Sequence, residues 1–394
     1  MKIVIVQSRV CFGGAERVGV MLANALAEKH EVWLATNTHL EMSYAVSSKV
    51  KVGNIFPDIP HGPKKWMGAI RNLRTLFKNE SPDVAIGILS TCSFVCKVAG
   101  AGLGVPVVAT EHDAFERPAS APISKGNVFS KFWLNKLFDM VTVLTEADRK
   151  VIGNRLRRIE VMPNPLSLEP LSVNEKGEMT GNGEQRVIKR HVVLAAGRLD
   201  AWHCKGFDVL LEAWAKVSAR CKEQMLAGDW RLCIAGKDEA DGQKHLDSLV
   251  QKYNIGNTVS FLGFRTDMVE LYREASVFVL SSRYEGFGLV LIEAMSQGCA
   301  CVATDYKGRQ KEIMGDADCG LLCQPEDVEA LADALQRVMT DDGLRHRLQV
   351  NAVERSRYFM PSNIVKRWEQ LLTNVIAAKK IASNDYDRHS RNSF

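Results

Sequence analysis

The sequence predicts an α/β protein with two Rossmann-like domains, each built on a doubly wound parallel sheet. Short apolar strands alternate with helical patterns along both halves of the chain. Continuous apolar strands of this kind are typical of parallel sheets that helices cover on both faces. The 394 residues are enough for two domains that each bury a core.

The first domain is predicted over residues 1–165. Its strands are KIVIV, HEVWLAT, DVAIGI, PVVATEH and MVTVLT, and its clearest helices are AERVGVMLANALAE, WMGAIRNLRTLFKN and CSFVCKVAGAGL. Residues 166–190 are rich in proline, glycine and polar side chains, which indicates a linker.

The alternation restarts in a second domain over residues 191–360. Its strands are HVVLAAG, WRLCIAG, VSFLG, SVFVLSS and ACVAT, separated by helices such as FDVLLEAWAKVSARC and GLVLIEAMSQG. An amphipathic helix is predicted over residues 361–381. The polar tail, residues 382–394, is expected to be disordered.

Charge is unevenly distributed along the chain. The net charge is +5, but residues 1–163 carry 21 Lys and Arg against 14 Asp and Glu. A basic first half favours an anionic partner, either a membrane surface or a phosphate-bearing substrate, although surface charge without function explains it equally well. The chain has no nucleic-acid-binding motif and no CxxC pair among its ten cysteines, so we expect neither nucleic acid nor zinc.

The expected location is the cytoplasm, either free or on the inner face of the cell membrane. The chain opens with a strand and not a signal peptide, and no apolar run reaches the roughly 18 residues of a membrane-spanning helix. Two basic stretches with aromatic residues, GPKKWMGAIRNLRTLFK and SKGNVFSKFWLNKLF, favour an anionic membrane surface as partner. The second holds Phe129, Lys131 and Trp133. Both stretches would equally suit packing on the sheet.

Strand-end loops are the candidate sites, because ligands of such sheets bind beyond the carboxyl ends of the strands. After the first strand, CFGGAER includes Gly14, where a phosphate can approach the backbone unless the loop is only a tight turn. The loop after PVVAT carries His112, which either holds a hydroxyl or a developing charge, or caps the next segment.

Charged residues also follow two strands of the second domain. Arg198 and Lys205 stand seven apart in GRLDAWHCKG, and a planar guanidinium with a point charge suits a diphosphate. Glu285 and Glu293 stand eight apart in SSRYEGFGLVLIEAMS. Glutamates accept hydrogen bonds from diols, and the glycines between them leave helix amides open to an anion.

Taken together, FGGAER, EHD, GRLD with KGFD, and EGFGLVLIEAM resemble retaining glycosyltransferase family 4 and its GT-B fold. In that fold two Rossmann-like domains face each other across a cleft, and the final helix crosses back to the first domain. The resemblance extends over nearly the whole chain. It implies retaining transfer of a hexose or N-acetylhexosamine from a nucleotide sugar, with UDP favoured. The implied acceptor is a glycan or polyprenyl-linked saccharide in polysaccharide or glycan biosynthesis.

The resemblance also implies roles for the matching residues. Arg198 and Lys205 would hold the diphosphate as it leaves, with Lys205 on a changed path because this loop is longer than usual for the family. Glu285 and His112 would contact the transferred sugar, and Glu293 would bind the ribose. Further donor contacts are expected from Gly14, Phe264, Arg265, Gly286, Phe287, Gly288 and Leu289.

Two cations and a helix N-terminus stabilise a departing diphosphate without a metal ion, so we expect neither metal nor other cofactor. The resemblance favours attack by the acceptor on the face from which the phosphate leaves. Two alternatives stay open: a sugar-nucleotide epimerase on the same fold, and a catalytically silent partner subunit that binds nucleotide sugar.

Overall fold

Parallel strands and helices alternate along the chain in a computed structural model that describes residues 1–11, 13–181, 186–223, 230–315 and 318–391. The strands are β1 (Lys2–Val6), β2 (Glu31–Thr36), β3 (Val50–Asn54), β4 (Val84–Ile88), β5 (Val107–Thr110), β6 (Met140–Val143), β7 (Ile159–Val161), β8 (Ser172–Val173), β9 (Met179–Thr180), β10 (Arg190–Ala196), β11 (Arg231–Ala235), β12 (Val259–Gly263), β13 (Ala275–Leu280), β14 (Ala300–Thr304) and β15 (Gly320–Cys323).

The helices are α1 (Gly14–Leu26), α2 (Pro63–Glu80), α3 (Leu89–Ala99), α4 (Lys125–Phe132), α5 (Glu146–Ile152), α6 (Trp202–Lys205), α7 (Phe207–Glu223), α8 (Gly242–Lys252), α9 (Met268–Glu274), α10 (Leu289–Ser296), α11 (Arg309–Met314), α12 (Val328–Thr340), α13 (Asp342–Ser356) and α14 (Pro361–Arg391). Leu134–Leu137, Gly153–Arg155 and Arg357–Phe359 form short 3-10 helices.

Two parallel sheets carry the architecture. The first has the strand order β3-β2-β1-β4-β5-β6-β7, and the second has the order β12-β11-β10-β13-β14-β15. Every neighbouring pair in both sheets is parallel, and central strands such as β4 and β13 are buried along their whole length. In each sheet the order reverses once, between β1 and β4 and between β10 and β13. Ligands of doubly wound sheets bind beyond the strand ends at this point.

The chain divides into two compact units. The first comprises residues 1–116, 123–165 and 361–394, and the second comprises 117–122 and 166–360. The change at 165 and 166 coincides with the predicted end of the first domain. Residues 166–190, predicted as a linker, belong to the second unit and contain the antiparallel ribbon of β8 and β9.

Helix α14 belongs to the first unit, where Ile364, Trp368 and Leu372 pack into the apolar layer beneath β1 and β2. Full burial of a large apolar side chain contributes about 1.5–3 kcal/mol, so these residues anchor the helix firmly. The helix runs to Arg391, beyond the end predicted at residue 381. The last part of the predicted disordered tail, 392–394, lies outside the described residues.

Candidate active site

The reversal point of the second sheet brings two of the predicted loops together. Gly197 and Arg198 follow β10, and residues 281–288 connect β13 to α10. Because β10 and β13 are hydrogen-bonded neighbours and parallel, their carboxyl ends open on the same edge of the sheet. The predicted cations and Glu285 therefore share one edge.

Lys205 and Glu285 form an ion pair at this edge. Lys205 Nζ lies 2.7 Å from Glu285 Oε1, and the two side chains are only 24% and 14% exposed. Ser282 Oγ donates a second hydrogen bond of 2.7 Å to the same oxygen. Burial acts to lower the pKa of Lys205, but the charge and hydrogen bond of Glu285 outweigh it and raise that pKa. Lys205 is therefore a cation at neutral pH.

A short helix positions Lys205 beside Glu285. The residues that lengthen the loop form α6, which ends at Gly206 in the left-handed conformation, φ 62°. The backbone N–H of Arg283 donates to the carbonyl of Cys204 at 2.9 Å, and Ser281 Oγ donates to the carbonyl of Lys205 at 2.8 Å. The longer Arg198–Lys205 loop is thereby fixed directly to the loop that carries Glu285.

Arg283 is a buried cation that holds this loop in place and that no sequence pattern singled out. Its guanidinium donates two 2.8 Å hydrogen bonds to the Asp208 carboxylate and one of 2.7 Å to Glu326. Hydrogen bonding to Asp208 raises the pKa of Arg283 despite its burial. The available signal was the polar run SSR directly after a buried strand, since buried charges of this kind require partners.

Arg198 and Trp202 occupy different environments on this loop. The Arg198 side chain is 62% exposed and lies 3.7 Å from Asp200 and 3.9 Å from Glu239. Such long contacts leave its guanidinium available to a ligand. Trp202 stacks on His245 with ring centroids 4.0 Å apart and packs on the core.

Glu293 lies inside α10 and is almost fully buried, with 3% exposure. Ser167 Oγ donates to its Oε1 at 2.7 Å, and the Tyr272 hydroxyl donates to its Oε2 at 3.2 Å. The Phe287 ring, on the preceding loop, packs edge-on against Phe359. Gly288 ends that loop in the left-handed conformation, φ 91°, and no side chain caps the helix.

The remaining predicted donor contacts lie on separate loops. Gly14 is exposed at the start of α1, where the Glu16 carboxylate folds back towards Gly13. Phe264 follows β12 and is half exposed, and Arg265 donates a 2.8 Å hydrogen bond to Asp267. The site roles of these residues, and those of Gly286 and Leu289, stay predictions.

In the first unit, His112 follows β5 and lines a small cavity with Thr142, Asn164 and Trp368. Its Nε2 lies 3.0 Å from Thr110 Oγ1, and that hydroxyl donates its proton to the carbonyl of Gly87. This assigns the Nε2 proton to His112 and leaves Nδ1 as an acceptor, buried and without a partner among the described residues. Burial, aided by the charge of Lys131, lowers the pKa of His112 to about 4.

A buried ion pair holds the loop around His112. Lys131 Nζ donates to Glu111 Oε2 at 3.3 Å and to the carbonyl of Asp113 at 2.9 Å. Ser90 and Asn135 donate to the other oxygen of Glu111. Lys131 is 3% exposed, so of the two interpretations of this stretch, membrane contact or packing within the domain, packing holds for this residue. Lys131, on the inward face of α4, holds the loop around His112 in place.

Two features of the described part of the chain bear on the predicted partners. None of its helices is both long and apolar enough to cross a lipid bilayer. Within the same residues, no three or more His, Cys, Asp or Glu side chains converge as metal ligands would. The nine cysteines described there are free thiols.

Two family models match the chain in succession. The model of Glycosyltransferase Family 4 matches residues 12–170, and the model of Glycosyl transferases group 1 matches residues 183–355. The chain is 29% identical over 388 residues to a Campylobacter jejuni α-1,4-N-acetyl-D-galactosaminyltransferase that is named for a saccharide on diNAcBac-PP-undecaprenol. That match covers 95% of this chain and 99% of the relative.

Further relatives and solved structures agree. An Escherichia coli UDP-Gal:α-D-GlcNAc-diphosphoundecaprenol α-1,3-galactosyltransferase is 27% identical over 78% of each chain. Sucrose-phosphate synthase from Thermosynechococcus elongatus superposes with a TM-score of 0.75 at 21% identity, over 96% of this chain and 99% of the other. Anabaena HepE, in complex with UDP and glucose, gives 0.73 at 20% identity, over 95% and 100%. These structures confirm the predicted fold class, GT-B with two Rossmann-like domains.

Proposed function

Because this chain belongs to glycosyltransferase family 4, we propose that it is a retaining, metal-independent transferase that uses a UDP-sugar. It moves a hexose or an N-acetylhexosamine to a lipid-linked saccharide during polysaccharide or glycan biosynthesis. That the chain is a glycosyltransferase follows from its family. The donor, the stereochemistry and the acceptor are the proposed part.

The ion pair of Lys205 and Glu285 is the main observation that supports this proposal. A sugar nucleotide places a hydroxyl-rich ring beside a diphosphate, and the pair offers a carboxylate beside an ammonium group 2.7 Å away. Both hydrogen bonds to Glu285 end on Oε1, so Oε2 has no partner among the described residues and is open to a sugar hydroxyl. Lys205 would then turn towards the diphosphate and stabilise its charge as the sugar leaves.

Other groups complete the donor site in this proposal. The exposed Arg198 adds a planar pair of donors for the phosphates, and the uncapped amides at the start of α10 favour an anion. In this proposal, two cations and a helix N-terminus stabilise the negative charge of the diphosphate, as a metal ion does in other transferases. His112, neutral with a free acceptor nitrogen, would accept a hydrogen bond from a hydroxyl of the transferred sugar.

The acceptor is proposed from the relatives. The Campylobacter jejuni and Escherichia coli transferases are both named for acceptors on undecaprenyl diphosphate. A lipid-linked acceptor requires the enzyme to work at a membrane, and the first half of the chain is basic. We therefore propose that this protein is a peripheral enzyme on the inner face of the cell membrane.

A turnover assay tests the proposal. The protein is incubated with UDP-hexoses or UDP-N-acetylhexosamines and a short polyprenyl-diphosphate saccharide, with and without EDTA. We expect an extended saccharide whose new bond keeps the anomeric configuration of the donor, read by proton NMR, at a rate that EDTA does not change. An inverted bond contradicts retention, and loss of activity in EDTA contradicts metal independence. An epimerised donor without transfer contradicts the transferase role.

A further inference from the structure

We propose that Tyr272 and Ser167 are positioning residues that enable Glu293 to distinguish a ribonucleotide from a deoxyribonucleotide. The proposal rests on the proposed function, in which Glu293 binds the donor ribose. It goes beyond that function by assigning ribose selectivity to two residues outside the recognised motifs. Neither residue is expected to touch the reacting atoms.

The two hydroxyls hold the Glu293 carboxylate from opposite ends. Ser167 donates to Oε1 at 2.7 Å and Tyr272 donates to Oε2 at 3.2 Å, so each oxygen receives a side-chain hydrogen bond. A carboxylate oxygen can accept more than one hydrogen bond. Two oxygens held in fixed positions suit the two adjacent hydroxyls of a ribose. Without the holding bonds the carboxylate would rotate among rotamers and lose this match.

Tyr272 is itself rigidly held. It is fully buried, and its ring packs edge-on against Phe278 with centroids 5.7 Å apart. Lys189 Nζ donates to the carbonyl of Tyr272 at 2.9 Å and to that of Gln297 at 2.7 Å. Gln297 follows α10 directly, so Lys189 links the backbone of Tyr272 to the helix that carries Glu293. Because Tyr272 is held in one position, its hydroxyl keeps the Glu293 carboxylate in one orientation.

Ser167 is held by the segment that begins the second unit. The backbone N–H of Leu166, its neighbour, donates to the carbonyl of Phe359 at 2.7 Å. Phe359 in turn packs against Phe287, two residues before the start of α10. Ser167 therefore lies on a segment that is tied to the loop preceding the Glu293 helix, which fixes the direction from which its hydroxyl approaches.

The test compares binding of UDP with binding of 2′-deoxy-UDP by calorimetry, with the GDP pair measured in parallel because Glu293 would read the sugar and not the base. We expect the wild type to prefer the ribonucleotide. Tyr272→Phe and Ser167→Ala should each reduce that preference about 3- to 10-fold, the usual weight of one hydrogen bond, while affinity for the deoxynucleotide changes little. Ser167→Thr, which keeps the hydroxyl, should restore the preference.

Tyr253→Phe is the matched control, because Tyr253 also donates to a glutamate of the second unit, Glu212, at 3.1 Å. It should leave the preference unchanged. If the wild type prefers UDP and both variants keep the full preference, or weaken both ligands equally, the positioning role is overturned. A wild type that binds neither ribonucleotide, or binds ribose and deoxyribose forms equally, overturns the donor site of the proposed function instead. Should Tyr272→Phe not fold, Ser167→Ala and Ser167→Thr decide the question.

Discussion

At the residue scale, Lys205 is the cation whose removal should affect catalysis most directly. Lys205→Met removes the charge proposed to stabilise the leaving diphosphate and leaves Glu285 without the ammonium group that lies 2.7 Å from its Oε1. Losing one preorganised donor to a developing anion lowers turnover about 100- to 1,000-fold. Steady-state kinetics with a UDP-sugar and a lipid-linked acceptor measure this, and kcat should fall much more than donor affinity.

Lys216→Met is the control for this variant. Lys216 also pairs with a glutamate of the second unit, Glu329, but on the surface, where ion pairs contribute little. Its removal should leave turnover within about twofold of wild type, since surface substitutions rarely matter. Equal kinetics for both lysine variants would remove Lys205 from the catalytic machinery.

His112 gives a pH-dependent prediction. Burial and the charge of Lys131 lower its pKa to about 4, against 6.5 for an ordinary histidine. Between these values the unfolded chain binds the proton and the folded chain does not, so stability falls as pH falls from 6.5 to 4. In urea unfolding, His112→Gln should lose less free energy of unfolding than wild type over this window, by as much as about 3 kcal/mol.

His61→Gln is the control, because His61 is exposed. Its free energy of unfolding should vary with pH as that of wild type does. Parallel pH profiles for all three proteins would contradict the lowered pKa of His112.

The sequence located Glu285 on the loop between β13 and α10, because a buried strand followed by glycines and a helix is a local pattern. It did not reveal that Lys205, 80 positions away, contacts this carboxylate. For Lys131 the sequence left membrane contact and packing both open, because it alternates with aromatic residues as a membrane-facing cation would. The buried Glu111 that receives it is distant in sequence and close only in the folded chain.

At the element scale, the short helix α6 depends on Gly206. A Cβ at Gly206 would lie 2.0 Å from the carbonyl oxygen of Ser281, and the residue has φ 62°. Gly206→Ala should therefore force the Lys205 loop away from the Glu285 loop. It should cost several kcal/mol of stability, well beyond the roughly 1 kcal/mol of left-handed strain alone, together with most of the transferase activity. Thermal unfolding and turnover measure the two effects.

Gly308→Ala separates strain from collision. Gly308 also has a positive φ, 85°, but a Cβ there would meet no atom within 4 Å. This variant should lose only the stability that left-handed strain costs, and it should keep its transferase activity. If Gly206→Ala proves as mild as Gly308→Ala, the close contact between the α6 loop and the β13 loop is not required for the fold.

Elements with strong apolar patterns were predictable, and those without were not. Strands such as β4 and β13 are continuous apolar runs, and every residue in them is buried. Helix α6 has four residues, too few to show a helical period, and the β8–β9 ribbon lies in a polar segment that indicated only a linker. Tertiary contacts, not local pattern, stabilise such pieces.

At the scale of the whole molecule, the repeated strand order follows from the repeated alternation of strands and helices in the sequence. Each sheet reverses once, and Arg198, Lys205 and Glu285, on the segments that follow β10 and β13, lie at the reversal of the second sheet. The course of the last helix was less predictable. The resemblance implied its return to the first domain, but its polar last third gave no apolar stripe to extend it beyond residue 381.

The uneven charge of the chain leads to a prediction about membranes. Around α4 and the turn after it, Phe129 and Trp133 are 55% and 62% exposed, and Lys125 and Lys136 beside them are exposed too. Apolar rings flanked by lysines suit an anionic lipid surface. We expect the protein to sediment with vesicles containing anionic lipid at low salt, less at high salt, and not with neutral vesicles.

The double variant Phe129→Ser with Trp133→Ser should weaken vesicle binding about tenfold or more, because both rings leave the interface. Ile188→Ser is the matched control, since Ile188 is a strongly exposed apolar residue of the second unit and should not contribute. Turnover with a water-soluble acceptor analogue should be equal in all three proteins, because Lys131 on the inward face of α4 still holds the loop around His112. Wild-type protein that stays in the supernatant with anionic vesicles at low salt would contradict the peripheral location. Equal losses in both variants would place the contact elsewhere on the surface.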